Sequence, residues 1–124
     1  MVQRFNHIVT ACALALVALG ANAEAPGLAH IASPEHYQRV LENDHVLVLK
    51  MVLRPGEVDR LHRHHNETVY FQKGGQLTIT EADGHTVVAN VPDGHVMWHQ
   101  AWSHQVRNTG ESEVVAIIVE DKTP

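Results

Sequence analysis

From Tyr37 onward the apolar residues fall into short runs closed by turn signals, and no run repeats every 3.6 residues for long enough to make a substantial helix. Tyr37–Leu41 stops at Glu42-Asn43-Asp44, and Val46–Leu53 stops at Arg54-Pro55-Gly56-Glu57. Thr68–Gln72 ends at Gly74-Gly75, Gln76–Thr80 at Ala82-Asp83-Gly84, and Thr86–Val91 at Pro92-Asp93-Gly94. Val96–Trp98 leads into a histidine-bearing stretch, and Glu113–Glu120 follows Asn108-Thr109-Gly110. Turns recurring roughly every 8–12 residues mark an all-β sandwich or barrel. The pattern predicts about eight strands in one domain, with no linker, internal repeat or low-complexity tract.

The start of the chain follows a different rule. Arg4 is the one charge in Met1–His7, the apolar run Ile8–Gly20 follows, and Ala21-Asn22-Ala23 offers a small-x-small cleavage site. That order predicts a bacterial secretory signal peptide over residues 1–23 and a periplasmic or secreted mature chain starting at Glu24. The apolar run falls short of the roughly 18 residues that a spanning helix needs, so no membrane attachment is expected after cleavage. Val9-Thr10-Ala11-Cys12 resembles a lipoprotein box, but most of the apolar region lies after Cys12, where a lipobox would close it. Residues 24–36 are small, polar and Pro-bearing and read as an N-terminal arm. Residues 37–124 read as the barrel.

Composition narrows the chemistry. Cys12 is the single cysteine and lies in the leader, so the mature chain has no disulfide, Cys-based zinc site or thiol nucleophile. Loss of Arg4 with the leader takes the formal charge from −5 to −6. An acidic domain without a basic cluster is a poor partner for nucleic acid or anionic lipid. No nucleotide loop, phosphate-binding Gly run or Gly-x-Ser-x-Gly elbow occurs. A domain of about a hundred residues is close to the lower limit of comfortable core size. Val46–Leu53 also has few polar positions for a strand with one wet face, and both features favour a homodimer.

Histidine is in excess, with 11 in the chain, and two clusters stand out: His62/His64/His65 and His95/His99/His104. Alternate residues of a strand share a face, so His62 and His64 project together, a natural pair of metal ligands. Glu67 has the wrong parity for a straight strand and joins them if a bulge or turn at His65-Asn66 absorbs one residue, which would displace His65. His104, with Val106 and Asn108 on its parity, is the candidate from the second cluster. His99 could line the pocket as an acid/base group or equally be a turn residue at the rim. His85 and His95 sit at turn edges and read as solvated. Trp98, Trp102, Tyr70 and Phe71 could wall a pocket, although core packing is the expected use for each. Arg107 should face outward, and Arg60 reads as solvated.

Gly56-(x5)-His62-x-His64-(x2)-Glu67-(x6)-Gly74 resembles the first cupin motif, with the gap before Glu67 one residue short. The second motif is matched less fully: Gly94 and His104-(x3)-Asn108 fit, while His99-Gln100-Ala101-Trp102 replaces its middle Pro and Gly. Trp98…Ala101…His104 is similar to a stretch found in a subgroup of small, exported bacterial cupins. The resemblance covers roughly Tyr37–Asp121. It implies a single cupin barrel (a double-stranded β-helix, or jelly roll) and one divalent metal held by His62, His64, Glu67 and His104.

Three imidazoles and a carboxylate suit Fe, Mn, Ni, Zn or Cu and do not choose among them. Two functional classes remain open. One is a metal-dependent enzyme, dioxygenase-, isomerase- or lyase-like, acting on a small molecule, with His99 as its candidate catalytic residue. The other is a non-catalytic periplasmic module that binds a metal or small molecule. Fold does not decide between them.

Overall fold

The computed structural model describes residues 24–123, so the expected leader lies outside the described residues. Nine strands follow one short helix. They are β1 (Tyr37–Glu42), β2 (Val46–Leu53), β3 (His62–His64), β4 (Asn66–Lys73), β5 (Gly75–Glu81), β6 (Thr86–Val91), β7 (Val96–His99), β8 (Trp102–Asn108) and β9 (Val114–Asp121); α1 spans Ala29–Ala32. The expected all-β class holds, with nine strands in place of about eight. Among the described residues no helix is long and apolar enough to cross a membrane.

Two antiparallel sheets face each other. One has the order β1-β2-β9-β4-β7 and the other β3-β8-β5-β6. Alternation decides which residues fill the space between them. In β2 the buried positions are Leu47, Leu49, Met51 and Leu53, in β4 they are Glu67, Val69 and Phe71, and in β8 they are His104, Val106 and Asn108. With Leu77, Val114, Ala116 and Ile118 the apolar members form one core. Burying each large aliphatic side chain contributes roughly 1.5–3 kcal/mol, so these rows fix the register on which the polar residues depend.

The corner at His65 is the local feature that matters most. The chain leaves β3 in one sheet and enters β4 in the other, with one residue between them. His64 and Glu67 therefore both face the interior although their parity differs, because the sheet that defines "inward" has changed. The extra residue is absorbed by a strand switching sheets, as corners of β-sandwiches are made, and not by a bulge within one strand.

Part of the segment 24–36 packs against the barrel. Ala29 and Ser33 are fully buried. Leu28 forms a parallel bridge with Arg63, and the Ser33 hydroxyl accepts the Arg60 backbone N–H at 2.8 Å. Arg60 donates to the Ala32 carbonyl at 2.7 Å, so its guanidinium is tied to this segment at the surface. Arg107 is exposed, as its parity predicts.

Trp98 and Tyr70 depart from the expected core packing, being 60 % and 44 % exposed. Both lie on the parity opposite to Glu67 and Val69. The register runs Leu41–Val48–Val119–Thr68–Trp98 across the outer face of the five-stranded sheet, with Ile117–Tyr70–Val96 beside it. Phe71, on the inner parity, is in the core.

Candidate metal centre

His62 and His104 are direct partners across β3 and β8. His64 follows on the same face two residues along. Glu67, Glu120 and His99 lie on one cross-strand row of the other sheet, Glu67 opposite Glu120 of β9 on one side and opposite His99 of β7 on the other. His62, His64, Glu67, His104 and Glu120 are each at most 5 % exposed. The ligand atoms of His62, His64 and His104 all lie within 4.8 Å of one another, as do those of His64, Glu67 and Glu120.

The hydrogen bonds fix where the imidazole protons sit. The Nδ1 of His62 lies 2.8 Å from the Arg60 carbonyl, which can only accept, so Nδ1–H donates and Nε2 carries the lone pair. The Nδ1 of His64 meets a Glu120 carboxylate oxygen and donates to it. Both Nε2 atoms thus keep lone pairs, and they face each other at 2.9 Å. Two lone pairs at that distance repel unless a proton or a cation lies between the rings. Two nitrogens bound to one ion at about 2.1 Å and at right angles would stand about 3 Å apart, so the spacing suits a shared ion.

Two further atoms have no partner. The Nδ1 of His104 and the Oε2 of Glu67 are buried without a hydrogen bond, each a cost of about 1–3 kcal/mol if nothing meets it. Glu67 and Glu120 also sit side by side on one face, where cross-strand neighbours are about 5 Å apart. At an effective dielectric of about 20, two charges at that separation repel by about 3 kcal/mol. A divalent cation among His62, His64 and His104 would relieve the lone-pair contact, while Glu67 groups with His64 and Glu120 and sets its Oε2 3.3 Å from His64 Nδ1, so the carboxylates border the same ring. The donor set therefore fits the metal that the sequence resemblance implies.

Surrounding residues orient these groups. The Trp102 indole N–H donates to Glu67 Oε1 at 2.7 Å, while Oε2, without a hydrogen bond, lies 3.3 Å from His64 Nδ1. Tyr37 donates its hydroxyl to Asp59 at 2.6 Å, and Asp59 also accepts the Val106 backbone N–H at 2.7 Å behind the His62 ring. Burial pushes the Asp59 carboxyl up to about 6 and raises the Tyr37 phenol well above its usual range. Burial, reinforced by His64, pulls His62 down to about 4; burial with His64 and His62 pulls His104 down to about 2. Glu67 is raised, chiefly by burial. Burial also acts to raise Glu120, but its bonds to His64 and His65 outweigh that and hold it below the ordinary carboxylate range.

His99 stands at the rim, stacked on Trp102 with ring centroids 3.7 Å apart. Its Nδ1–H donates to the Gln100 carbonyl at 2.6 Å, which leaves Nε2 as an acceptor. His65 points away from the imidazole cluster and donates from Nδ1 to Glu120 Oε2 at 2.8 Å. His85 and His95 are exposed. Beside the cluster, the barrel encloses a cavity of about 50 Å³, walled by Tyr37, Met51, Val69, Phe71, Leu77 and Met97 and touched by His64, Glu67, Trp102 and His104.

Sequence reasoning missed Glu120, Asp59 and Tyr37. Glu120 left a readable trace: it shares the inward parity of Ala116 and Ile118, so a carboxylate stands at a core position of an apolar strand. Asp59 left none, because it precedes β3 in irregular chain whose facing no periodicity reveals.

The sequence matches no protein-family model and no curated protein. Solved structures, by contrast, resemble it over most of its length. A cupin domain from Bordetella pertussis Tohama I superposes with a TM-score of 0.65 at 22 % identity, covering 82 % of this chain and 99 % of that one. An RmlC-like cupin family protein with a double-stranded β-helix fold, from Methanocaldococcus jannaschii, gives 0.56 at 17 %, covering 68 % and 77 %. The polyketide cyclase RemF from Streptomyces resistomycificus gives 0.54 at 14 %, covering 82 % and 71 %. The chain has the cupin fold.

The lowered basicity of the two imidazoles is directly measurable. In metal-free protein, ¹⁵N ring shifts should show His104 neutral at every pH above about 4 and His62 half-protonated near pH 4. The sign is that of a depressed base: the neutral, ligand-competent form persists into acid where a free histidine, at about 6.5, is already charged. A midpoint near 6.5 for either ring would contradict the buried, mutually repelling arrangement.

Proposed function

We propose that this protein is a metal-dependent cupin that holds one divalent ion with His62, His64, Glu67 and His104 and acts on a small molecule entering the barrel beside it. The observation that carries this reading is the 2.9 Å approach of the His62 and His64 Nε2 atoms, each with its Nδ1 proton already committed elsewhere. A bound ion would supply Lewis-acid polarisation of a ligand oxygen. The chain's own residues do the rest. Trp102 holds one oxygen of Glu67 so that the other faces the cluster, and the apolar wall excludes water. The cavity, at about 50 Å³, has room for a few waters at roughly 10–15 Å³ each, so a compact ligand or one end of a larger one enters. Among the described residues no Lys or Arg lines it, which favours an uncharged, largely apolar ligand.

Enzymatic turnover is favoured over passive binding by His99, whose free Nε2 stands at the rim next to Trp102 and can take or return a proton. A dioxygenase-, isomerase- or lyase-like reaction suits such a site. RemF supports no more than that the fold accommodates an enzyme. The alternative is a non-catalytic module that binds a metal or small molecule. His62→Ala, His64→Ala and His104→Ala should each sharply lower metal content measured by mass spectrometry, Glu67→Ala should do so equally or less, and His65→Ala should retain the ion at saturation. His99→Gln should keep the metal and lose turnover in a screen of diketones and catechols; unchanged turnover would remove His99 from the mechanism.

The leader and the assembly belong to the same proposal. The Arg4, Ile8–Gly20 and Ala21-Asn22-Ala23 succession supports export to the periplasm or beyond, and N-terminal sequencing of exported protein should begin at Glu24; a full-length cytoplasmic chain would exclude it. The apolar outer band bearing Leu41, Val119, Tyr70, Val96 and Trp98, each more than a third exposed, supports a homodimer. Lys50, paired with Ile117, is the charged residue on its second row, and the uncharged remainder lets two acidic copies meet. Trp98→Glu should convert a sedimenting dimer to monomer, and a wild-type monomer at micromolar concentration would overturn the assignment.

A further inference from the structure

Glu120 is a buried carboxylate for which the four-residue ligand set has no use. It is 0 % exposed, on the inward parity of β9, with Leu47 opposite it on one side and Glu67 on the other. Both its oxygens are engaged. One accepts His64 Nδ1–H; the other accepts His65 Nδ1–H at 2.8 Å and faces the His65 backbone N–H at 3.4 Å. These contacts are on the Nδ1 edge of the His64 ring, away from the Nε2 that meets His62.

We propose that Glu120 is a positioning residue of the metal centre: it fixes His64 as the Nδ1–H tautomer, so that Nε2 is the donor, and His65 in turn pins Glu120. The inference rests on the metal reading above and extends it to two residues outside the ligand set. A neutral imidazole can carry its proton on either nitrogen, and the Nε2–H form cannot ligate through Nε2. An anionic acceptor at Nδ1 removes that competing form and leaves the Nε2 lone pair available as the donor. His65, 31 % exposed at its side chain, reaches no ligand atom in the imidazole cluster but occupies the second oxygen that would otherwise be free to swing the carboxylate away.

The test uses the mature protein with Zn(II) as the affinity probe and Co(II) as the spectroscopic one. Loss of such an outer carboxylate should weaken binding about 10–100-fold. Glu120→Leu should therefore bind Zn(II) 10–100-fold more weakly in chelator competition, Glu120→Gln less severely because its amide oxygen still accepts, and His65→Ala more mildly again. The Co(II) visible spectrum of Glu120→Gln should match wild type, while that of Glu67→Gln should change. ¹⁵N shifts of metal-free wild type should show His64 protonated at Nδ1, and Glu120→Leu should mix the tautomers.

An altered Co(II) spectrum in Glu120→Gln would make Glu120 a ligand and overturn the proposal. So would wild-type Zn(II) affinity in Glu120→Leu or, if that variant does not fold, in Glu120→Gln. Wild type that takes up no metal would sink the metal reading alone. In that case the His64 tautomer still decides for or against Glu120, an Nε2–H ring in the wild type overturning it.

Discussion

The contact on which the rest depends is the one between the Nε2 atoms of His62 and His64. Each ring has its Nδ1 proton tied to an acceptor, one a backbone carbonyl and one a carboxylate, so neither can relieve the contact by turning over. Flipping His62 would put a Cδ2–H against the Arg60 carbonyl, flipping His64 would put one against Glu120, and moving the His64 proton to Nε2 would set a lone pair against that carboxylate. The repulsion is therefore built in by the surroundings and can be relieved by a cation or a shared proton between the rings. His104 joins that pair of rings, and both it and Glu67, which groups with His64 and Glu120, carry a buried atom without a hydrogen bond. The cluster resembles a coordination sphere more than a hydrogen-bonded core network, in which each buried polar group would find its partner within the protein.

Such a cluster could not persist without a rigid frame. The same strands that carry His104, Glu67 and Glu120 carry Val106, Val69, Phe71, Ala116 and Ile118 on the same face. Slipping any of them by one residue would turn both the polar and the apolar members to solvent. The apolar rows thus enforce the position of the charged ones, and the stability lost at the charged end is offset by aliphatic burial along the rest of each strand.

Most of the fold and half of the site's logic were legible in the sequence, and the boundary between legible and illegible is physical. Period-two alternation bounded by Gly, Pro and Asp turns gave the strands, and His-x-His gave two side chains on one face. The Glu67 gap pointed to an irregularity at His65-Asn66, but alternation is defined within one sheet and could not tell a bulge from a corner between sheets. Trp98 and Tyr70 were misplaced for a related reason. Aromatic residues suggest a core, yet Glu67, placed inward by the cluster, puts Tyr70 outward, and Trp98 pairs with the outward Thr68. Parity is the stronger argument where the two conflict. Glu120 is open to that same argument, but it lies far from either histidine cluster in sequence, where no motif singles out a carboxylate.

The distribution of histidine then has a physical reading that a bare count does not give. His62, His64 and His104 are enclosed by the barrel, and His62 and His104 are depressed in basicity so that they stay neutral in mild acid. His99 and His65 flank that enclosure, one stacked on the indole that holds Glu67 and the other bonded to the carboxylate that holds His64. Each of these flanking rings touches a residue that touches the cluster. The two carboxylates on the inner row are consequently held by different means. Glu67 has a neutral indole donor and an unpaired oxygen, and burial raises its pKa. Glu120 is saturated by two imidazole donors, which lower its own. The same side chain in adjacent register positions is thereby left with opposite duties: one oxygen free to meet a ligand, and one carboxylate fully occupied in orienting a neighbour.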